Sequence, residues 1–244
     1  MSERRADRPP MVLIAGGPSS VRRRGADPLL QEVIRRTGVA RPKVAYVGAA
    51  SGDNQAFLLL ISRMLVKAGA GTVTLARLCG RRADPGKVRA VLEESDLVFV
   101  SGGDVEKGME ILAQTGADRL LVSLYRKGKP FCGVSAGSIM LARHWVRWRD
   151  PHDEGSAELF PCLDLAPVLC DTHGEEDGWE ELQAALALCR TGAVGYGIVT
   201  GSALEVFPGG TVTALGGPVD VFRKTRAGVE KEKAVPAGAS RRGK

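Results

Sequence analysis

Long apolar runs are missing from this sequence, and so are the usual signatures of bound nucleotide, metal or disulfide. Behind the charged opening MSERRADRPP there is no apolar stretch of the kind a secretory leader carries. The apolar runs at 11–15 and 57–61 are too short to cross a bilayer, so a cytoplasmic protein with no membrane partner is expected. The five cysteines (Cys79, Cys132, Cys162, Cys170 and Cys189) are odd in number and contain no CxxC pair. That excludes a regular disulfide frame or a zinc ribbon and favours reduced thiols acting as small buried hydrophobes. Only three histidines occur, His144, His152 and His173, with no HExxH among them, so no metal is expected. There is no GxxxxGK[ST], and after the first apolar run the chain reads AGGPSSVRRRG rather than GxGxxG. Nucleotide binding falls away, and no cofactor is expected.

A surplus of one charge sign is also missing from most of the chain. The formal net charge is +6 over 244 residues, but from Arg223 onward eight Lys or Arg face only two Glu, which accounts for all of it. A nucleic-acid footprint should lie on a folded face. This one lies mostly in KEKAVPAGASRRGK, whose composition reads as disordered. The expected organisation is a disordered segment at 1–10, one domain over 11–224 and a disordered basic tail at 225–244, with no nucleic-acid partner.

What the chain does contain is an alternation of short β-branched runs with helical patterns. Strands are expected at VLIAG (12), KVAYVG (43), TVTLAR (72), LVFVSG (97) and PFCGV (130), and helices at about 28–37, 54–68, 85–94 and 105–127. Asp27-Pro28 and Asp84-Pro85 are helix starts, with an Asp to cap free amides and a Pro preset for the first turn. The fold class that follows is α/β, three-layered, with a mostly parallel sheet covered by helices on both faces. The 145–165 segment reads as a loop or hairpin excursion. After it come a strand-like APVLCDTH, a helix at about 178–190 and a β-rich C-terminal part in which PGG marks a hairpin. The strands end in small residues, as a cleft beyond the carboxyl ends of a parallel sheet requires.

GVSAG at 133–137 satisfies G-x-S-x-G, with a strand before it and an amphipathic helix, Ala136 to about Trp145, after it. A tight turn lifts the Ser135 hydroxyl clear of the sheet, and the Ala136 N–H at the helix start faces where an oxyanion would form. A serine needs a base. His144 falls on the helix after the nucleophile, about two and a half turns on, and His152 lies in the charged excursion. His173 ends a strand-like segment at the same sheet edge as Ser135, which makes it the candidate base.

SGGD at 101, GVSAGS at 133 and DTH at 171, in this order and spacing, resemble peptidase family S51, the peptidase E and cyanophycinase type. The resemblance runs from about 11 to 224. It implies a fold like the class I glutamine amidotransferases, Ser135 as nucleophile, His173 as base, and an oxyanion hole from the N–H groups of Gly103 and Ala136. In the family the late segment reads close to GIDEGTAL, whose acid orients the histidine. Here it is GIVTGSAL, with Val199 and Thr200 in place of the two acids. Thr200 therefore stands as third catalytic member, and loss of a triad acid costs on the order of 10⁴-fold in kcat. Glu205 and Asp150 are the candidate substitute acids. Where cyanophycinase-like chains carry arginines after the histidine, this one has GEEDGWEEL, five acids, so the aspartyl preference does not carry over. Helix-dipole compensation accounts for acids in a first turn; a pocket for a cationic substrate is the alternative.

The function expected is a serine-type peptidase, an exopeptidase or isopeptidase on small peptides, working through an acyl-enzyme at Ser135. A homodimer is compatible with it. Two other readings remain: a non-catalytic ligand- or partner-binding member of the same fold, and an α/β-hydrolase esterase. Strand character over some seventy residues after His173 weighs against the last.

Overall fold

The computed structural model describes residues 8–17, 25–150 and 152–241, with the side chain of Glu154 left aside. The first half builds a parallel sheet. Its strands are β1 (Met11–Ile14), β2 (Lys43–Val47), β3 (Thr72–Leu75), β4 (Leu97–Val100) and β5 (Phe131–Val134). Between them run α1 (Pro28–Arg36), α2 (Gln55–Lys67), α3 (Pro85–Glu94), α4 (Val105–Thr115) and α5 (Ala117–Arg126), and α6 (Ala136–Leu141) follows β5. Asp27 caps α1 and Asp84 caps α3, each through its carboxylate to the first free N–H groups, with Pro at the first helical position.

The second half is built mainly of strands. A hairpin of β6 (His144–Trp148) and β7 (Ala157–Pro161) is followed by β8 (Leu169–Thr172), α7 (Glu180–Ala187) and β9 (Val194–Ile198). Then come β10 (Ala203–Val206), β11 (Val212–Leu215), β12 (Val219–Lys224), β13 (Val229–Val235) and β14 (Ser240–Arg241). The main sheet has eight strands in the order β14-β11-β10-β1-β5-β4-β2-β3, and a second sheet runs β13-β12-β9-β8. β1, β5, β4, β2 and β3 pair in parallel, while β10 joins β1 antiparallel, Ile14 opposite Ala203.

Alternation along the strands divides the core in two. Val12, Ile14, Val44, Tyr46, Leu97 and Phe99 pack with Leu30, Val33, Ile61 and Leu65 of α1 and α2. Leu13, Ala45, Val47, Val98 and Val100 pack with Leu92, Leu112 and Leu121 of α3, α4 and α5. Helices thus cover both faces, and no helix among the described residues is long and apolar enough to cross a membrane.

Three expectations are corrected. The helix expected over 105–127 is two helices, because Gly116 takes a left-handed φ of 70° and ends α4 there. The helix after Ser135 stops at Leu141, and His144 opens β6, since HWVRW alternates and pairs with AELFP from His144 opposite Pro161 to Trp148 opposite Ala157. The tail expected to be disordered from 225 instead carries β13 and β14. VEKEKAV pairs with β12, and its charges are matched across strands: Glu232 binds both Arg223 and Arg241, and Lys231 Nζ meets Asp220 Oδ2 at 2.8 Å. Composition suggested disorder, whereas alternate charged positions on an edge strand have partners. At the other end, Pro9 O accepts from Tyr125 Oη at 3.4 Å; residues 1–7 and 242–244 lie outside the described residues.

Candidate functional site

Ser135 stands between β5 and α6 with φ 53° and ψ −127°, a left-handed conformation costly for a residue with a side chain. Its N–H is held by Ile14 O at 2.9 Å, which ties the turn to the central strand β1. The turn is tight enough that a Cβ at Gly137 would come within 2.2 Å of Val100 O. The Ser135 hydroxyl has no hydrogen-bond partner among the described residues, His173 included.

The loop after β4 brings Gly102 and Gly103 alongside. A Cβ at Gly102 would lie 3.0 Å from Ser135 Cβ and 3.5 Å from its Oγ. Gly103 has φ 143° and sits on Ala50, where a Cβ would meet Ala50 O at 2.2 Å. Only glycine fits this conformation and contact. The N–H groups of Gly103 and Ala136 find no acceptor among the described residues.

His173 follows β8 and also takes a left-handed conformation, φ 65°. Its Nδ1 lies 3.3 Å from Thr200 Oγ1. A Cβ at Gly17, just past β1, would come within 2.7 Å of Thr200 Cγ2 and 3.5 Å of His173 Cε1. Ser135 and His173 therefore both flank the end of β1. Burial lowers the pKa of His173, opposed by the Glu175 carboxylate and the Ala15 carbonyl.

Neither carboxylate expected behind His173 bonds to it. Glu205 is buried on β10 and ion-paired with Arg36 of α1. Asp150 lies at the tip of the β6–β7 hairpin, where its Oδ1 accepts from His152 N at 2.9 Å. The carboxylate that does reach this region is Glu175, whose Oε1 accepts from Thr200 N at 2.9 Å. Burial pushes its pKa up, but hydrogen bonds from the Thr200 side chain and N–H outweigh it and hold the group low. Of the two accounts expected for the acids after His173, helix-dipole compensation and a pocket for a cationic substrate, the first does not reach Glu175. The helix begins only at Glu180, so that account fits Glu180 and Glu181 and leaves Glu175 to the turn after His173. Its position two residues past DTH was the available signal.

Asp171, on β8 just before, has its pKa raised to about 7 by burial and by the charge of Glu181. Glu181 in turn accepts from Trp145 Nε1 at 2.6 Å, which fastens the β6–β7 hairpin beside the site. No group of three or more His, Cys, Asp or Glu among the described residues is placed to hold a metal. A cavity of about 570 Å³ lined by Met109, Arg119 and Leu163 includes no residue of this site.

Comparison with known proteins adds to this geometry. Residues 11–214 match the model of peptidase family S51. Over 136 residues the chain is 33% identical to Peptidase E of Streptomyces coelicolor, covering 55% of this chain and 52% of that protein. The chain thus matches about half the length of this curated relative. The crystal structure of a peptidase from an acI-B1 Actinobacterium superposes with a TM-score of 0.72 at 16% identity, over 96% of both chains.

Proposed function

The chain belongs to peptidase family S51, and on that premise we propose that it is a serine peptidase cutting small peptides through an acyl-enzyme on Ser135. The observation that carries this reading is the strained, strand-to-helix placement of Ser135 with an uncommitted hydroxyl. Strain of this kind persists where the surrounding structure holds it for a purpose.

In this reading Ser135 Oγ attacks the scissile carbonyl carbon while His173 takes its proton. The oxyanion collects the N–H groups of Gly103 and Ala136. His173 then gives the proton to the departing amine, and water, activated by the same imidazole, releases the acid. In sites of this kind the nucleophile–base hydrogen bond tightens in the reacting complex.

Thr200 occupies the third position. A hydroxyl orients an imidazole but does not offset its positive charge. The Glu175 carboxylate, bonded to Thr200 N, supplies that charge from one residue further out. This supports a working triad weaker than one with a carboxylate directly on the ring. The fold comparison to the class I glutamine amidotransferases, the cytoplasmic location and a homodimer stay with this proposal.

A fluorophosphonate probe tests it. Wild-type protein is expected to be labelled at Ser135, and Ser135→Ala to remain unlabelled. If the native protein stays unlabelled beside a reactive control hydrolase, a non-catalytic binding member of the same fold replaces the peptidase.

A further inference from the structure

The turn from His173 to Trp179, HGEEDGW, leaves β8 and enters α7. Five non-glycine residues among the described residues have a left-handed φ, and two of them bracket this turn, His173 at 65° and Trp179 at 67°. A tryptophan gains nothing in its own backbone from that conformation, so contacts elsewhere hold it there. The Trp179 N–H donates back across the turn to Gly174 O at 2.7 Å and to Asp177 Oδ1 at 2.9 Å. Trp179 is 2% exposed, although residues 175–178 before it are on the surface.

Two glycines make room for the ring. A Cβ at Gly197 of β9 would come within 2.6 Å of Trp179 Cε2, and one at Gly174 within 2.7 Å of Cε3. The indole N–H donates to Asp220 Oδ2 of β12 at 3.0 Å, an acceptor shared with Lys231 Nζ of β13. The ring packs with Leu169, Leu182, Leu186 and Phe222, and Val199 rests against the same cluster. Gly197 and Val199 run straight into Thr200. One apolar cluster therefore supports both lengths of chain that meet at the base: the turn that carries His173 and Glu175, and the strand end that carries Thr200.

We propose that Trp179 is a positioning residue for the base, its indole fixing the 173–179 turn on β9 so that His173 and Glu175 both reach Thr200. Two contacts depend on it, His173 Nδ1 to Thr200 Oγ1 at 3.3 Å and Thr200 N to Glu175 Oε1 at 2.9 Å. Strand pairing does not secure them, because the β8–β9 ladder ends at Thr172 opposite Ile198. A displacement of the turn by about 1 Å breaks both. The charge of Glu175 raises the His173 pKa, so the titration of His173 reports whether that carboxylate is in place. The kinetic meaning of the proposal rests on the hydrolase reading above; the titration does not.

With only three histidines in the chain, the test is direct. The imidazoles of the full chain are followed by NMR across pH, His173→Asn identifies the His173 signal, and fluorophosphonate labelling is timed on the same proteins. Trp179→Phe keeps a ring but loses the donor to Asp220 and part of the contact with Gly197. In it His173 is expected to titrate at lower pH than in the wild type. Adding Glu175→Gln should move it no further, because the carboxylate is already displaced. The labelling rate should fall about 10- to 100-fold, with thermal unfolding still cooperative. Asp220→Leu removes the acceptor from the far side and should act in the same direction, whereas Asp220→Asn removes the charge, keeps an acceptor and should stay close to the wild type. This pair leaves the indole in place and decides the matter if Trp179→Phe does not fold. Wild-type titration of His173 in Asp220→Leu and in folded Trp179→Phe, still sensitive to Glu175→Gln, makes Trp179 core packing only and overturns the proposal. Equal shifts in Asp220→Asn and Asp220→Leu assign the effect to the Asp220 charge and overturn it too. An unlabelled wild type whose His173 moves as stated removes the hydrolase reading and leaves the positioning role standing.

Discussion

Asp171→Asn is expected to stabilise the protein, and to do so only above mildly acidic pH. The carboxyl lies on β8 with 6% exposure, and its pKa rises from an ordinary 3.8 to about 7, first through burial and then through the charge of Glu181, with Asp177 adding to it. A carboxyl whose pKa is raised on folding favours the fold while protonated. Its contribution is fully present below 3.8 and is lost as pH rises toward 7, because the unfolded chain releases the proton first. At about 1.4 kcal/mol per pH unit the full loss is roughly 4 kcal/mol. Asn keeps an oxygen to accept from Thr172 N, 2.6 Å away, and removes the charge. Glu181 remains in the same buried cluster and retains part of the penalty, so the gain from the substitution is about 2 kcal/mol at pH 8. For a chain of this length that is about 4–8 °C in Tm. Thermal unfolding followed by circular dichroism at pH 5 and pH 8 reads it directly. The variant should pull ahead of the wild type as pH rises; a constant gap between the two, or one that narrows, refutes the reasoning.

Other outcomes follow from the same structure. Glu175→Gln removes the negative charge that raises the His173 pKa, so the acidic limb of the labelling-rate profile should move to lower pH and the plateau rate should fall about 10- to 100-fold. Thr200→Asp should raise the plateau rate and make it insensitive to Glu175→Gln; fluorophosphonate kinetics across pH check both. Gly103→Ala forces a Cβ to 2.2 Å from Ala50 O in a left-handed backbone, and should cost about 2–4 kcal/mol in denaturant unfolding with loss of labelling. Deleting residues 229–244 removes β13 and bares the edge of β12; a lower Tm and concentration-dependent aggregation by light scattering are expected.

The half of the chain with a strong local rhythm was legible in its sequence. Asp27-Pro28 and Asp84-Pro85 marked helix starts through capping chemistry that is local in sequence, and Ser135 was marked by the small residues its turn demands. Gly116 ended a helix inside a pattern that stayed amphipathic on both sides, so periodicity alone ran through it. The charged C-terminal segment was misread because its partners, Asp220 and Arg223, lie across a hairpin and are invisible to composition. The partner of Thr200 was missed for a related reason. Glu175 reaches the Thr200 N–H across 25 positions of sequence, a distance closed only by the pairing of β8 with β9.

That pairing has a mechanical consequence. Ser135 and the Gly103 loop extend from the eight-stranded sheet and His173 from the four-stranded one, while Thr200 lies in the short link from β9 of the smaller sheet to β10 of the larger. That link is stitched to the end of β1, Gly201 N donating to Gly16 O at 3.3 Å and Ala15 N to Ser202 O at 3.1 Å, so the residue beside the base is anchored to the strand whose Ile14 O holds the Ser135 N–H. A second tie lies away from the cleft, where Glu232 of the smaller sheet, ion-paired with Arg223, also binds Arg241 of β14 in the larger, so the two sheets that supply nucleophile and base are fastened to each other at more than one place.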